Sequence, residues 1–199
     1  MRLYERERLT ESLLAVPSLI DRHRQWDGGF IVGVEAWCAD LEDVLGRLRN
    51  PLVSLVAAQR GAIRAAADAD PSEGKRRSRA RAERAAALEA LQRVEEAIRA
   101  RVQAIDEELR PLREKLIQFL AVSSARVPIP LPPPPPRTPW LRELWPKLMV
   151  GDELRNMYAF LSAALPEADR LALLDEVLDQ LLSGNGHLFQ ASAATDRKA

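Results

Sequence analysis

The residues that could bind a metal ion or act as nucleophiles are few and widely separated. The chain has two histidines, His23 and His187, and a single cysteine, Cys38. Neither histidine belongs to a Glu-x-x-His or His-x-x-x-His pair, which would place two ligands on one helical face. No Gly-x-Ser-x-Gly or Walker loop occurs. We therefore predict no catalytic residue, no metal site and no cofactor, and we expect Cys38 to be a buried core residue rather than a nucleophile.

The densest cluster of charge is the run KRRSRARAER over residues 75–84, in which six of ten residues are basic. Five of these basic residues are candidate contacts for phosphate groups of nucleic acid or lipid: Lys75, Arg76, Arg77, Arg79 and Arg81. Positive charge at a helix start opposes the helix dipole, which favours a functional reason for it. The alternative is a solvated helix start, partly balanced by nearby carboxylates. Because no aromatic residue is interleaved for base stacking, the solvated helix start is favoured.

A proline tract, VPIPLPPPPPRTPW, occupies residues 127–140 and contains eight of the chain's 14 prolines. Polyproline II is the expected conformation, and its length could span roughly 40 Å. The stretch LPPPPPR also fits the spacing that polyproline-recognition grooves read. A tract so rich in proline matches that pattern by chance, so we interpret it mainly as a spacer. Thr138 and Pro139 then predict the cap and first turn of a helix.

The segment after the tract is a candidate docking module for a protein partner. Tryptophan is enriched at binding hot spots, and a short helical appendage beyond a spacer is suited to presenting one. The candidate partner-binding residues are Trp140, Leu144, Trp145, Leu178 and Leu181. The alternative interpretation, local packing of these side chains within the fold, is the favoured one.

The elements that must position these residues are helical. Alanine, leucine, glutamate and arginine are good helix formers, and aromatic residues make up only 5% of the chain. Apolar residues spaced by threes and fours predict one heptad seam over residues 34–66, kinked or ended at Pro51. A second long helix with its own seam is predicted over residues 75–124, with Pro111 on its outer face. Residues 67–74 predict the turn between the two.

The predicted fold class is all-α: an elongated, coiled-coil-like antiparallel helical hairpin forming a small bundle with the N-terminal helix, then a polyproline connector, then a small C-terminal helical unit. The predicted boundaries are 1–124 for the bundle, 125–138 for the linker, 139–186 for the C-terminal unit and 187–199 for a flexible tail. We expect the N-terminal helix and the WDGGFIVG segment, residues 26–33, to cover the apolar seam near residues 105–119, and the hairpin to be bare toward its tip.

Composition limits the function classes. The chain has 29 basic and 29 acidic residues, which argues against a protein that binds polyanions over its whole surface. No apolar run is long enough to span a membrane, and the charged N-terminus lacks a signal-peptide core, so a cytoplasmic location is expected. The excess of arginine over lysine is typical of a GC-rich bacterial genome.

We predict a non-enzymatic scaffold or adaptor with a protein partner or a second copy of itself. Nucleic-acid or phosphate binding through residues 75–84 is the alternative, and a small enzyme with a carboxylate site is the least favoured.

Overall fold

The computed structural model describes residues 1–68 and 76–184. Within these two ranges there is no strand, and the all-α prediction is confirmed. The eight described helices are α1 (Arg2–Leu13), α2 (Val16–Arg24), α3 (Phe30–Arg47), α4 (Leu52–Asp68), α5 (Arg76–Ser124), α6 (Thr138–Lys147), α7 (Asp152–Ala164) and α8 (Glu167–Gly184). The predicted tail 187–199, with His187, lies outside the described residues.

The first predicted seam is not one long helix but two antiparallel ones. Glu42 pairs with Arg60 at 3.2 Å and Glu35 pairs with Arg64 at 3.5 Å, so α3 and α4 run in opposite directions along each other. Pro51 therefore ends the first helix rather than kinking it. Helices α3 and α4 themselves form a hairpin. The sequence had predicted that residues 34–66 form a single arm of a longer hairpin.

The reversal between α3 and α4 is built from three consecutive residues. Arg49 adopts a left-handed φ of 52°, and the N–H of Asn50 donates to the carbonyl of Leu45. The Asn50 side chain then accepts a hydrogen bond from the N–H of Leu52 at 2.9 Å, which caps the start of α4. Pro51, directly before α4, has no N–H group and therefore leaves no unpaired donor at the start of that helix. A heptad pattern cannot reveal this reversal, because the apolar spacing continues across it.

The reversal also changes which residues of α4 are buried. Val56 and Ile63 are buried, whereas Ala62, a member of the predicted seam, is exposed. The predicted turn over 67–74 falls almost entirely on residues that the structure does not describe. The second long helix is confirmed as α5, and Pro111 lies on an exposed position inside it.

The chain divides into two compact units, and the division falls inside α5. The N-terminal unit is Glu5–Ala104, and the C-terminal unit is Met1–Tyr4 together with Ile105–Ala199. The predicted boundary near residue 124 differs from this division. The reason is that the second half of α5 has its own apolar surface, and that surface packs with the helices that follow it rather than with those that precede it.

The core of the N-terminal unit joins α1 to α4 with the first half of α5. Gly33 allows close packing of α2 on α3, since a Cβ there would lie 2.9 Å from a methyl of Leu19. The buried apolar residues of this core are Leu9, Val16, Leu19, Phe30, Val34, Trp37, Cys38, Leu41, Leu45, Val56, Ile63, Ala87, Ala90, Leu91, Val94 and Ile98.

The core of the C-terminal unit joins the second half of α5 with α6, α7 and α8. Its buried residues from α5 are Ile105, Leu109, Leu112, Leu116, Phe119 and Leu120. The expectation that the N-terminal helix and residues 26–33 cover this seam is wrong, because Leu9 and Phe30 belong to the other core. The first residues of α1 do join this unit, where the buried Asp169 carboxylate accepts the N–H groups of Arg2 and Leu3.

Candidate functional site

The five candidate partner-binding residues lie mainly in the core of the C-terminal unit. Leu144, Trp145 and Leu178 are buried, while Trp140 and Leu181 are partly buried. The Trp145 ring stacks on Tyr158 with centroids 5.0 Å apart and lies 5.4 Å from the ring of Phe119. Most of the set is therefore packed within the fold, and only Trp140 and Leu181 keep part of their surface exposed. Burial of leucine and tryptophan against α5 uses the apolar area that a partner would have needed.

The proline tract is attached to its own unit. Ile129 is buried in the core beside α6, and the Arg137 guanidinium donates to the carbonyl of Pro133 at 2.7 Å and to the carboxylate of Asp175 at 3.0 Å. It also donates to Asp179. Hydrogen bonds to the Asp179 and Asp175 carboxylates raise the pKa of Arg137. Within the C-terminal unit the tract is an internal strap, and Arg137 rather than Thr138 occupies the cap position of α6.

A small groove lies between the strap and α6. Its apolar walls include Ile129, Trp140 and Leu144, and the exposed side chains of Glu143 and Lys147 border it. The cavity volume is ≈ 90 Å³, well below the roughly 300–1,000 Å³ of pockets that hold cofactors or metabolites. It suits one inserted aliphatic side chain. Of the five candidates, Trp140 and Leu144 line this groove.

A wider depression of ≈ 490 Å³ separates α6 from α8. Arg142 and Glu167, both exposed, pair beside it at 2.7 Å, and this hydrogen bond lowers the pKa of the Glu167 carboxyl. The remaining lining residues are mostly alanine, leucine and threonine. No cluster of side chains in the depression resembles a nucleophile with its base.

The basic run at the start of α5 is partly accounted for by Arg84, which is buried. Its guanidinium donates to the carbonyls of Arg22 at 3.2 Å, His23 at 2.6 Å and Asp27 at 3.0 Å. Two of these carbonyls belong to the last turn of α2, whose negative dipole end a cation stabilises. Arg84 is therefore a structural clamp, and one of the six basic residues is removed from the solvent-exposed set.

Four of the five candidate phosphate contacts, Arg76, Arg77, Arg79 and Arg81, precede Arg84 on α5. Arg81 is exposed and Arg79 is partly buried. Lys75 and the side chains of Arg76 and Arg77 fall outside the part of the chain that the structure describes. The described part of the run therefore presents Arg79 and Arg81 within two turns of Arg84.

Sequence reasoning missed Trp26, which the fold places against this basic helix. Its side chain is 73% exposed, and its ring centroid lies 5.0 Å from the Arg84 guanidinium carbon. Because Trp26 and Arg84 lie far apart in the sequence, no local pattern could connect them. The available signal was a large aromatic residue directly before the turn residues Asp27-Gly28-Gly29, a place where nothing local buries it.

Cys38 is a buried core residue, as predicted. Burial and the nearby Glu42 carboxylate raise the pKa of the Cys38 thiol to about 12, so it is protonated at neutral pH and a poor nucleophile. His23 packs edge-on against Phe30. Within residues 1–68 and 76–184, no group of three or more histidine, cysteine and acidic side chains is arranged to hold a metal ion.

Comparison with known proteins gives no relative for this chain. No protein-family model matches it, and no curated protein or solved structure matches it significantly. Among the helices of the described residues, none combines the length and apolarity needed to cross a membrane.

Proposed function

We propose that the protein is a non-enzymatic adaptor that binds a protein partner through the groove between the proline strap and α6. The observation that carries this proposal is the size and lining of the groove. A volume of ≈ 90 Å³ accommodates one anchoring side chain, and binding energy at protein interfaces is concentrated in such desolvated anchor pockets.

The lining supports a peptide-like occupant. Trp140 supplies a large, rigid apolar wall, and Ile129 and Leu144 close the groove from the strap and from α6. Glu143 and Lys147 present opposite charges at the border, one helical turn apart on α6. A partner segment with one bulky aliphatic residue between two charged residues would contact all three apolar walls and pair with both border charges.

Self-association would need a different surface from the one that the sequence suggested. The sequence suggested it through an exposed hairpin tip and an uncovered apolar seam, but α6, α7 and α8 cover the seam near residues 105–119. A second copy of the chain is therefore one source of the anchoring side chain rather than the favoured partner. Light scattering over a concentration series separates a self-associating chain from one that binds a different protein.

The groove is tested with a displayed library of random peptides selected on the full-length chain. Selected peptides are expected to share one bulky aliphatic residue, and its replacement by alanine should weaken binding by about tenfold or more. The double variant Glu143→Lys/Lys147→Glu should lose these peptides, because it reverses the border charges without touching the core.

The matched control is Glu114→Lys, a charge reversal at an exposed position of α5. It should bind the selected peptides like the wild type. The proposal fails if the peptides bind the Glu143→Lys/Lys147→Glu variant equally well, or if selection yields no peptide with a common anchor.

A further inference from the structure

The backbone of Trp26 has an unfavourable conformation that hydrogen bonds hold in place. It adopts a left-handed φ of 56°, a conformation that is unfavourable for a non-glycine residue. Its N–H donates to the carbonyl of His23 at 3.2 Å, and the N–H of Asp27 donates to Arg22 at 3.0 Å. The Asp27 carboxylate accepts the N–H of Gly29 at 2.9 Å. Backbone strain that several hydrogen bonds maintain, at a residue that remains exposed to solvent, points to a binding role.

Arg84 supports the indole from beneath. Its guanidinium carbon lies 5.0 Å from the ring centroids of both Trp26 and Phe30, and three carbonyls fix its orientation. The guanidinium covers one side of the Trp26 ring, while the side chain as a whole stays 73% exposed. The ring is thus a flat platform with a fixed cation behind it and a face open to solvent.

Cations available to a ligand lie next to this platform. Arg81 precedes Arg84 by three positions and is exposed, so the two residues are neighbours on the same helical face. Arg79, two positions before Arg81, is partly buried and lies on the other side of α5. On the other side, Arg22 and Arg24 flank the turn, with their charges partly balanced by Asp27 at 4.0 Å and Asp21 at 3.6 Å.

We propose that Trp26 and Arg81 form a binding face for single-stranded nucleic acid, in which a base stacks on Trp26 and an adjoining phosphate contacts Arg81. Proteins that bind single strands combine aromatic platforms with a basic path for the backbone. The basic run lacked an aromatic residue in sequence, and the fold supplies one. An acidic peptide would use the arginines but has no planar group to cover the indole, so the nucleic acid fits more of the surface.

The test is fluorescence anisotropy of a labelled twelve-nucleotide oligo(dT) with the full-length chain at several salt concentrations. The variant Trp26→Ala should weaken binding roughly 5- to 100-fold, the range for loss of one stacked base, and should leave the salt dependence unchanged. Trp26→Phe should recover part of the affinity. The variant Arg81→Ala should reduce the slope of log K against log salt by about 0.7, the value for one phosphate that no longer pairs with an arginine.

Two control variants show whether binding is specific to this face. Phe160→Ala removes another exposed aromatic side chain, in the C-terminal unit, and should bind like the wild type. The groove variant Glu143→Lys/Lys147→Glu should also bind normally, so failure here and failure of the peptide-binding proposal are distinguishable. Absence of binding at low salt, or equal binding by Trp26→Ala, overturns the proposal. Equal competition by poly-glutamate would overturn it too and would assign the face to an acidic protein instead.

Discussion

The two halves of α5 differ in the size of the apolar side chains that they bury. In the N-terminal unit the helix buries two alanines, Ala87 and Ala90, together with Leu91, Val94 and Ile98. In the C-terminal unit it buries mainly large residues, among them Leu116 and Phe119. Small residues allow helices to approach closely but bury little apolar area each, whereas large residues bury much more. One continuous helix therefore allows close approach of its neighbours where its alanines are buried, and it buries more apolar area where its large residues lie.

Specific hydrogen bonds also connect the helices of the N-terminal unit. The Glu5 carboxylate accepts hydrogen bonds from Arg101 at 2.7 Å and from Asn50 at 2.6 Å, which connects α1 to α5 and to the turn before α4. Arg84 connects the start of α5 to the end of α2. The C-terminal unit also has such hydrogen bonds, among them those of Arg137 with Pro133 and Asp175, so the two halves of α5 differ in the size of their buried side chains.

The largest expected effect comes from removing an aromatic ring in the C-terminal unit. Phe119 is fully buried against Trp145 and Tyr158. Phe119→Ala should lower the free energy of unfolding by about 3–5 kcal/mol, as for other buried phenylalanines. Urea denaturation followed by circular dichroism measures it. Val122→Ala, at a position that is 38% exposed on the same helix, is the control and should change stability little.

A smaller effect is expected from the clamp of the N-terminal unit. Arg84→Ala removes three hydrogen bonds that a charged donor makes, so it should cost about 2–3 kcal/mol. Arg84→Lys should restore little, because an ammonium cannot match the planar fork of a guanidinium. The exposed Arg81→Ala should stay within about 0.5 kcal/mol of the wild type. If Arg84→Ala is no more destabilising than Arg81→Ala in the same denaturation experiment, Arg84 does not clamp α2 to α5.

Close packing of the N-terminal unit is tested by adding volume. Ala90 is fully buried, and Ala90→Leu should destabilise the protein by about 1–3 kcal/mol through overpacking. Ala100→Leu inserts the same side chain at an exposed position of α5 and should be nearly neutral. Equal melting temperatures for these two variants would show that the helices of this unit are not closely packed at Ala90.

The smallest effect concerns Cys38 and appears only at high pH. Its pKa is raised from 9.0 to about 12 in the folded chain, so between these pH values the unfolded chain loses a proton that the folded chain keeps. The stability that Cys38 contributes is complete below the unfolded pKa of 9.0 and is lost as the pH rises toward the folded pKa of about 12. At a pH of about 10 the wild type should lose about 1 kcal/mol more than Cys38→Ala, relative to neutral pH. Parallel pH profiles for the two proteins would contradict the raised pKa.

The helical class and several helices could be predicted from apolar spacing and breakers. Helix α5 follows its predicted range closely, and α6 begins at Thr138, where the sequence predicted a helix start. The burial of Cys38 also followed from its place in the pattern. These features depend on local sequence, which apolar periodicity reports directly.

The partners of each helix could not be predicted in the same way. The apolar spacing from Leu45 to Leu52 is compatible with a continuous helix, and only the backbone of Arg49 and Asn50 reverses the chain. The contact of Trp26 with Arg84 depends on the same tertiary arrangement. Heptad spacing identifies the face that is buried, but it does not identify the helix that covers that face.

The division of α5 between two cores is tested most directly by hydrogen exchange of its amides in Phe119→Ala. Mass spectrometry of peptic fragments resolves the two halves of the helix in a single sample. We expect faster exchange in residues 105–124, with residues 87–104 protected as in the wild type. Equal acceleration along the whole of α5 would contradict the division, because one shared core would then stabilise both halves.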